Sequence, residues 1–142
     1  MKKIFTLLCL LSVVFVFTNE SNSQSGSATI NPYLQTVLLD AVSNEMIDVY
    51  ATLRDQYSLD DLKQQTVFLP KKERQKEVVR ILREFSNTKQ QNVRNYLESA
   101  KQQNLVSKID VLWAANTIVF SAVPEIIYYL ADNYEEISEI RY

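Results

Sequence analysis

The serines of this chain have no base to take their protons. There is no histidine among the 142 residues, so Ser121 and the other serines cannot act as nucleophiles of a Ser-His-Asp triad. Metal chemistry is equally short of ligands. The one cysteine, Cys9, lies in an apolar run near the N-terminus, and no acidic stretch has the spacing of a calcium-binding loop. A loop that cradles phosphate needs several glycines, and Gly26 stands alone. The expectation is no enzymatic activity, no metal and no cofactor. What remains is a set of side chains suited to contact: Asp48, Tyr50, Thr52, Asp110, Leu112, Thr117, Val119 and Ser121. Each alternates with apolar neighbours, as residues do on one face of a sheet.

That alternation defines the elements that must carry them. In Met46–Leu53 (MIDVYATL), Ile47, Val49, Ala51 and Leu53 point one way and Asp48, Tyr50 and Thr52 the other. Residues 105–122 read as two strands meeting at Ala114–Asn116. Ile109, Val111 and Trp113 share a side with Ile118, Phe120 and Ala122, and Asp110, Leu112, Thr117, Val119 and Ser121 take the opposite side. Trp113 is expected to pack in the core, and Asn116 suits a tight turn because it tolerates positive φ. Ile137–Tyr142 reads as a last, short strand.

Helices are expected between the strands. Pro32 opens a short one with Leu34, Val37, Leu38 and Val42 on one side, and Ser58 with Asp61 starts a short helical turn through Gln65. A long helix runs from Lys71 to about Gln103. Val78, Ile81, Leu82 and Phe85 form its first apolar stripe, and Val93, Tyr96, Leu97 and Ala100 its second. Between them Ser86–Asn92 (SNTKQQN) offers almost nothing to a core, and Ser86–Thr88 marks where a kink would fall. Pro124 opens the last helix, which gives Ile126, Ile127 and Leu130 to the core and leaves at least one of Tyr128 and Tyr129 partly exposed.

Strand, helix, strand, strand, helix, strand is the order of a ferredoxin-like βαββαβ sandwich. The expected fold class is therefore α+β, a four-stranded antiparallel sheet with two helices on one face, plus a short N-terminal helix. The other face of the sheet is open, and the eight side chains named above line it. An RNA-binding sheet of this order needs stacking aromatics and positive charge on that face, which here offers chiefly Tyr50. The net charge of −2 and pI near 5.2 also argue against a nucleic-acid partner. An acylphosphatase-like enzyme shares the order but requires a glycine-rich anion loop that is missing.

Three segments divide the chain. Residues 1–23 read as a secretory signal peptide: Lys2 and Lys3 precede the apolar run Ile4–Phe17, which is too short for a comfortable span, and Ser21 and Ser23 stand before a possible cut. Residues 24–44 form a polar tether and the short helix, and 45–142 the main domain. The mature protein is then secreted or periplasmic, without thiols and without a stable membrane span.

From Met46 to Tyr142 the chain resembles the propeptide, or inhibitor, domain of subtilisin-like serine proteases. The resemblance lies in the first strand running into Leu53–Gln56, the charged Lys71–Arg83 helix with its Gln-rich continuation, Leu112–Ile118 (LWAANTI), the Pro124–Ala131 helix and the Ile137–Ile140 strand. It implies a non-enzymatic domain that assists folding of a subtilisin-like catalytic domain, in cis or in trans, and inhibits it. The open face would dock on surface helices of the protease, with Asp48, Asp110 and Glu139 placed to cap their positive ends. The segment Ile140, Arg141, Tyr142 would enter the substrate cleft, Tyr142 at the specificity pocket. The chain reads as stopping at or inside its last strand with no protease domain behind it, which leaves a truncated gene product, a separated propeptide or a stand-alone inhibitor as alternatives. A second reading is a secreted interaction module that meets its partner through the long charged helix.

Overall fold

The computed structural model describes residues 27–142, so the expected signal peptide and Cys9 lie outside the described residues. Among the described residues there are five strands: β1 (Thr29–Ile30), β2 (Ile47–Leu53), β3 (Val106–Leu112), β4 (Thr117–Ala122) and β5 (Ile137–Arg141). Four helices accompany them: α1 (Pro32–Asp40), α2 (Leu59–Thr66), α3 (Lys71–Gln102) and α4 (Pro124–Asn133). The sheet order is β1-β5-β2-β4-β3. All neighbours are antiparallel except β1 and β5, which run parallel.

This corrects the expected fold class. The sheet is five-stranded and mixed, and the described residues form four helices, where a four-stranded antiparallel sheet with two helices and a short extra one was expected. The added strand comes from the supposed tether. Thr29 and Ile30 pair with Glu139 and Ile140, and Asn31 N–H continues the edge by donating to Ile140 O at 2.9 Å. Without them the outer edge of β5 would present unpaired backbone groups. The same short segment caps α1: Asn31 accepts from Tyr33 N–H at 3.0 Å, and Pro32 takes the first helical position, where its missing N–H costs nothing.

One face of the sheet carries the core. Ile47, Val49, Ala51 and Leu53 of β2 meet Ile118, Phe120 and Ala122 of β4 and Ile137 and Ile140 of β5, all buried. Against them pack Leu34 and Leu38 of α1, Val93, Leu97 and Ala100 of α3, and Ile126, Ile127, Leu130 and Ala131 of α4. The spacing of these helical residues follows the 3.6-residue period that the sequence displays. Only the second half of α3 reaches this cluster. Its first half packs with α2 around Leu62, Thr66 and Ile81, forming a helical arm beside the sheet.

α3 is one unbroken helix of 32 residues. The interval Ser86–Asn92 is not idle: Ser86 and Gln90 are fully buried. Gln90 Nε2 donates to Asn116 Oδ1 at 3.0 Å, and Asn116 Nδ2 donates to Asp55 O at 2.7 Å. A polar thread thus joins α3, the β3–β4 turn and the loop after β2. Asn116 adopts φ 43°, ψ 51°, the left-handed conformation its type permits. Trp113 is half-buried in a 3-10 turn, Trp113–Ala115, with the Arg83 guanidinium 5.2 Å from its ring.

Where α3 meets α4, Tyr96 stacks on Tyr129 at 4.9 Å between ring centroids, and Tyr134 leans on both. Tyr128 and Tyr129 are both partly exposed. Burial first, then the neighbouring phenols, raises the pKa of Tyr96 and Tyr134 above the ordinary 10.0. A raised folded-state pKa means that the protonated form is favoured in the folded protein. The resulting stability is fully present below the ordinary phenol range and is lost as pH climbs through the raised values. The denaturation midpoint is therefore expected to fall above about pH 10. Tyr96→Phe should flatten that fall, read by urea titrations over a series of alkaline buffers.

Candidate docking face

Cross-strand pairing sorts the candidate residues into three rows on the sheet face opposite the core. One row reads Arg141, Tyr50, Val119, Asp110 from β5 to β3. The next reads Glu139, Thr52, Thr117, Leu112, and the third Asp48, Ser121, Lys108. All eight predicted face residues fall here because a strand's side chains alternate strictly, so one correct parity fixes a whole strand.

Within the face their roles differ. Leu112 is 46% exposed and Tyr50 39%, and Val119 lies half-buried between Tyr50 and Asp110. These three supply the apolar contact area. Thr117 and Ser121 are buried although they point away from the core, because they are short and bonded sideways. Thr52 and Thr117 share a hydroxyl contact at 3.3 Å, Thr117 Oγ1 donates to Ala115 O at 3.0 Å, and Ser121 donates to the Asp48 carboxylate. They form a floor that a partner would touch little. Asp48 and Asp110 are exposed, Glu139 is half-exposed, and Lys108 pairs loosely with Asp110 at 3.6 Å.

Two members of the face escaped the sequence reading. Lys108 stands beside Ser121 because the β3–β4 register shifts between Val106 and Lys108. Extending the alternation of Asp110 and Leu112 back by two positions finds it. Arg141, read as part of a tail, belongs to the rows through its pairing with Tyr50.

The expected cleft-binding tail needs correction at Ile140. This residue is fully buried and paired with Ala51 on one side and Ile30 on the other, so releasing it would dismantle β5. Arg141 and Tyr142 are exposed, and the Tyr142 ring sits edge-on to Tyr33 at 5.5 Å. Two surface depressions, one lined by Asn87, Thr88, Gln91, Arg94, Asn95 and Glu98 and the other by Tyr57, Arg80, Phe85 and their neighbours, lie along α3 away from these rows. Among the described residues no three acidic or cysteine side chains gather closely enough to hold a metal ion, and no helix is long and apolar enough to cross a membrane.

Set against family models, curated proteins and solved structures, the chain gives no match.

Proposed function

We propose that this is a non-enzymatic, exported docking domain whose open sheet face binds the catalytic domain of a subtilisin-like serine protease, assisting its folding and inhibiting it. The observation that carries the reading is the assembly of Tyr50, Val119 and Leu112, ringed by Asp48, Asp110, Glu139, Lys108 and Arg141, on a sheet face that the chain's own helices leave uncovered. An apolar centre with a charged rim is the anatomy of a specific protein interface. Exposed carboxylates at the rim, Asp48 and Asp110, suit the positive N-terminal ends of helices in a partner. The resemblance to subtilase propeptides names the partner class. A domain that binds a native-like state better than the unfolded chain favours folding by mass action, which unites the two roles. Arg141 stays with the face, so exposed Tyr142, which follows β5, is the residue left to enter the cleft.

The long charged helix is a poorer docking surface. The charges along its middle are already engaged: Arg80 bonds Glu77 and Glu84, and Lys89 pairs with Asp55 at 2.6 Å. The side-chain bond from Arg80 holds the Glu77 carboxyl below its usual range.

The test is inhibition of a subtilisin-like protease by the full chain, followed through hydrolysis of a peptide substrate. Inhibition at micromolar concentrations is expected. Leu112→Asp combined with Val119→Asp should weaken it by at least about 30-fold, as loss of an interface hot spot does. Both side chains point away from the core, so the circular dichroism should match that of the parent. Unaltered inhibition by a folded double variant, or no inhibition by the parent protein, would refute the proposal.

A further inference from the structure

The turn at the far end of the α2–α3 arm has features that the docking face does not use. Phe68 is 94% exposed and Val67 beside it 53%. Between residues 64 and 76 the sequence places four basic residues, Lys71, Lys72, Arg74 and Lys76, against a single acid, Glu73, in a chain of net charge −2. The nearby acids of α2, Asp60 and Asp61, belong to its first turn, at the opposite end of that helix. Charge is thus separated along the arm, with the positive end at the tip.

The tip is held in shape. Arg74 donates to the carbonyls of Thr66, Val67 and Leu69 at 3.1, 3.0 and 3.0 Å, and Leu69 N–H donates to Thr66 O at 3.1 Å. Folding of this turn therefore uses backbone carbonyls and one arginine, and makes no use of a bare phenyl ring in water. Lys71 and Lys72 stand in the first turn of α3, where the helix dipole disfavours cations. Lys72 and Lys76, one turn apart, share a surface with Gln75 and Val79. Local stability accounts for neither the phenyl ring nor the lysines.

We propose that this tip attaches to the surface of an anionic lipid bilayer, Phe68 and Val67 entering the headgroup region while Lys71, Lys72 and Lys76 meet the lipid phosphates. Apolar insertion and electrostatic attraction are the two terms that hold peripheral proteins on membranes. A single-stranded nucleic acid would also attract the lysines and could stack a base on Phe68, but it gives exposed Val67, which has no π-face, no role, whereas a bilayer takes up both side chains. The attachment is peripheral, because no described helix can span a bilayer.

The experiment places an indole at the tip of the full chain by Phe68→Trp and measures its fluorescence with phosphatidylcholine vesicles carrying brominated acyl chains, with and without phosphatidylglycerol. The parent protein, whose Trp113 lies under Arg83, supplies the background. Because the reporter is local, binding through the apolar residues 4–17 does not imitate tip insertion. A blue shift and bromine quenching are expected only with phosphatidylglycerol present. Each lysine contributes about fivefold to binding, so Lys71→Glu, Lys72→Glu and Lys76→Glu together should weaken the response by at least about 100-fold. The triple Lys→Gln variant should show a smaller loss in the same direction. An indole that stays unquenched on anionic vesicles overturns the proposal. So does an equal response to neutral vesicles, or to a soluble polyanion such as RNA.

Discussion

Phe120→Ala should bring the protein close to unfolding. Phe120 is fully buried in β4, between Val49 of β2 and Ile109 of β3 in the register. Removing a buried aromatic ring forfeits its transfer free energy and leaves a cavity, a cost of about 3–5 kcal/mol. Domains of this size hold only about 5–15 kcal/mol in total. A drop in thermal midpoint on the order of 10–20 °C is expected. The neighbouring position is the control: Val119→Ala, on the other face, should change stability by no more than about 1 kcal/mol. If the two substitutions cost the same, the assignment of faces along β4 is wrong, and the docking face falls with it.

Asn116→Ala should be the most damaging change outside the core. Two separable losses combine there. An alanine held at φ 43° carries a left-handed penalty of about 1–2 kcal/mol. Removing the amide also breaks the bonds to Gln90 and Asp55 O and leaves the Gln90 amide buried without its side-chain partner, a further cost of about 1–3 kcal/mol. Asn116→Gly restores the backbone freedom but not the bonds, so urea titrations of the two variants read the conformational part as their difference. Gln90 already leaves its Oε1 without a protein partner, as does Ser86 Oγ, so this thread has little to spare. Equal stability of Asn116→Ala and the parent would show that the thread contributes nothing.

The parts legible in the sequence are those with a physical period. Alternation in Ile47–Leu53 and Thr117–Ala122 identified both strands and their faces, and the stripe Val93, Leu97, Ala100 identified the buried side of α3. Asn116 was legible because few residues other than glycine accept its backbone angles. Elements defined by pairing alone were hidden. Thr29–Ile30 is too short to show a pattern and is a strand only because β5 lies beside it. Burial of Ser86 and Gln90 was equally hidden, since polar side chains enter a core only where partners such as Asn116 wait for them, and those partners are remote in sequence. Ile140 was misplaced because an apolar residue in a short final strand serves a core or a cleft equally well on type alone. At the arm, Leu59–Thr66 is a full helix capped by Ser58, which accepts from Asp61 N–H at 3.3 Å. Its mean hydropathy is low, and it draws its support from α3 rather than from its own apolar content.

The place of β2 between β4 and β5 has a consequence for synthesis. Thr52 and Ser138, which meet across the β2–β5 pair, are 86 positions apart. A nascent chain emerging N-terminus first therefore displays β2 long before β5 exists, and one edge of β2 must stay open until then. Closing so large a loop makes assembly slow compared with that of the helical arm, whose contacts are local. The domain thus stays uncommitted while most of it is being synthesised, because its central strand gains its second neighbour only when the last residues arrive.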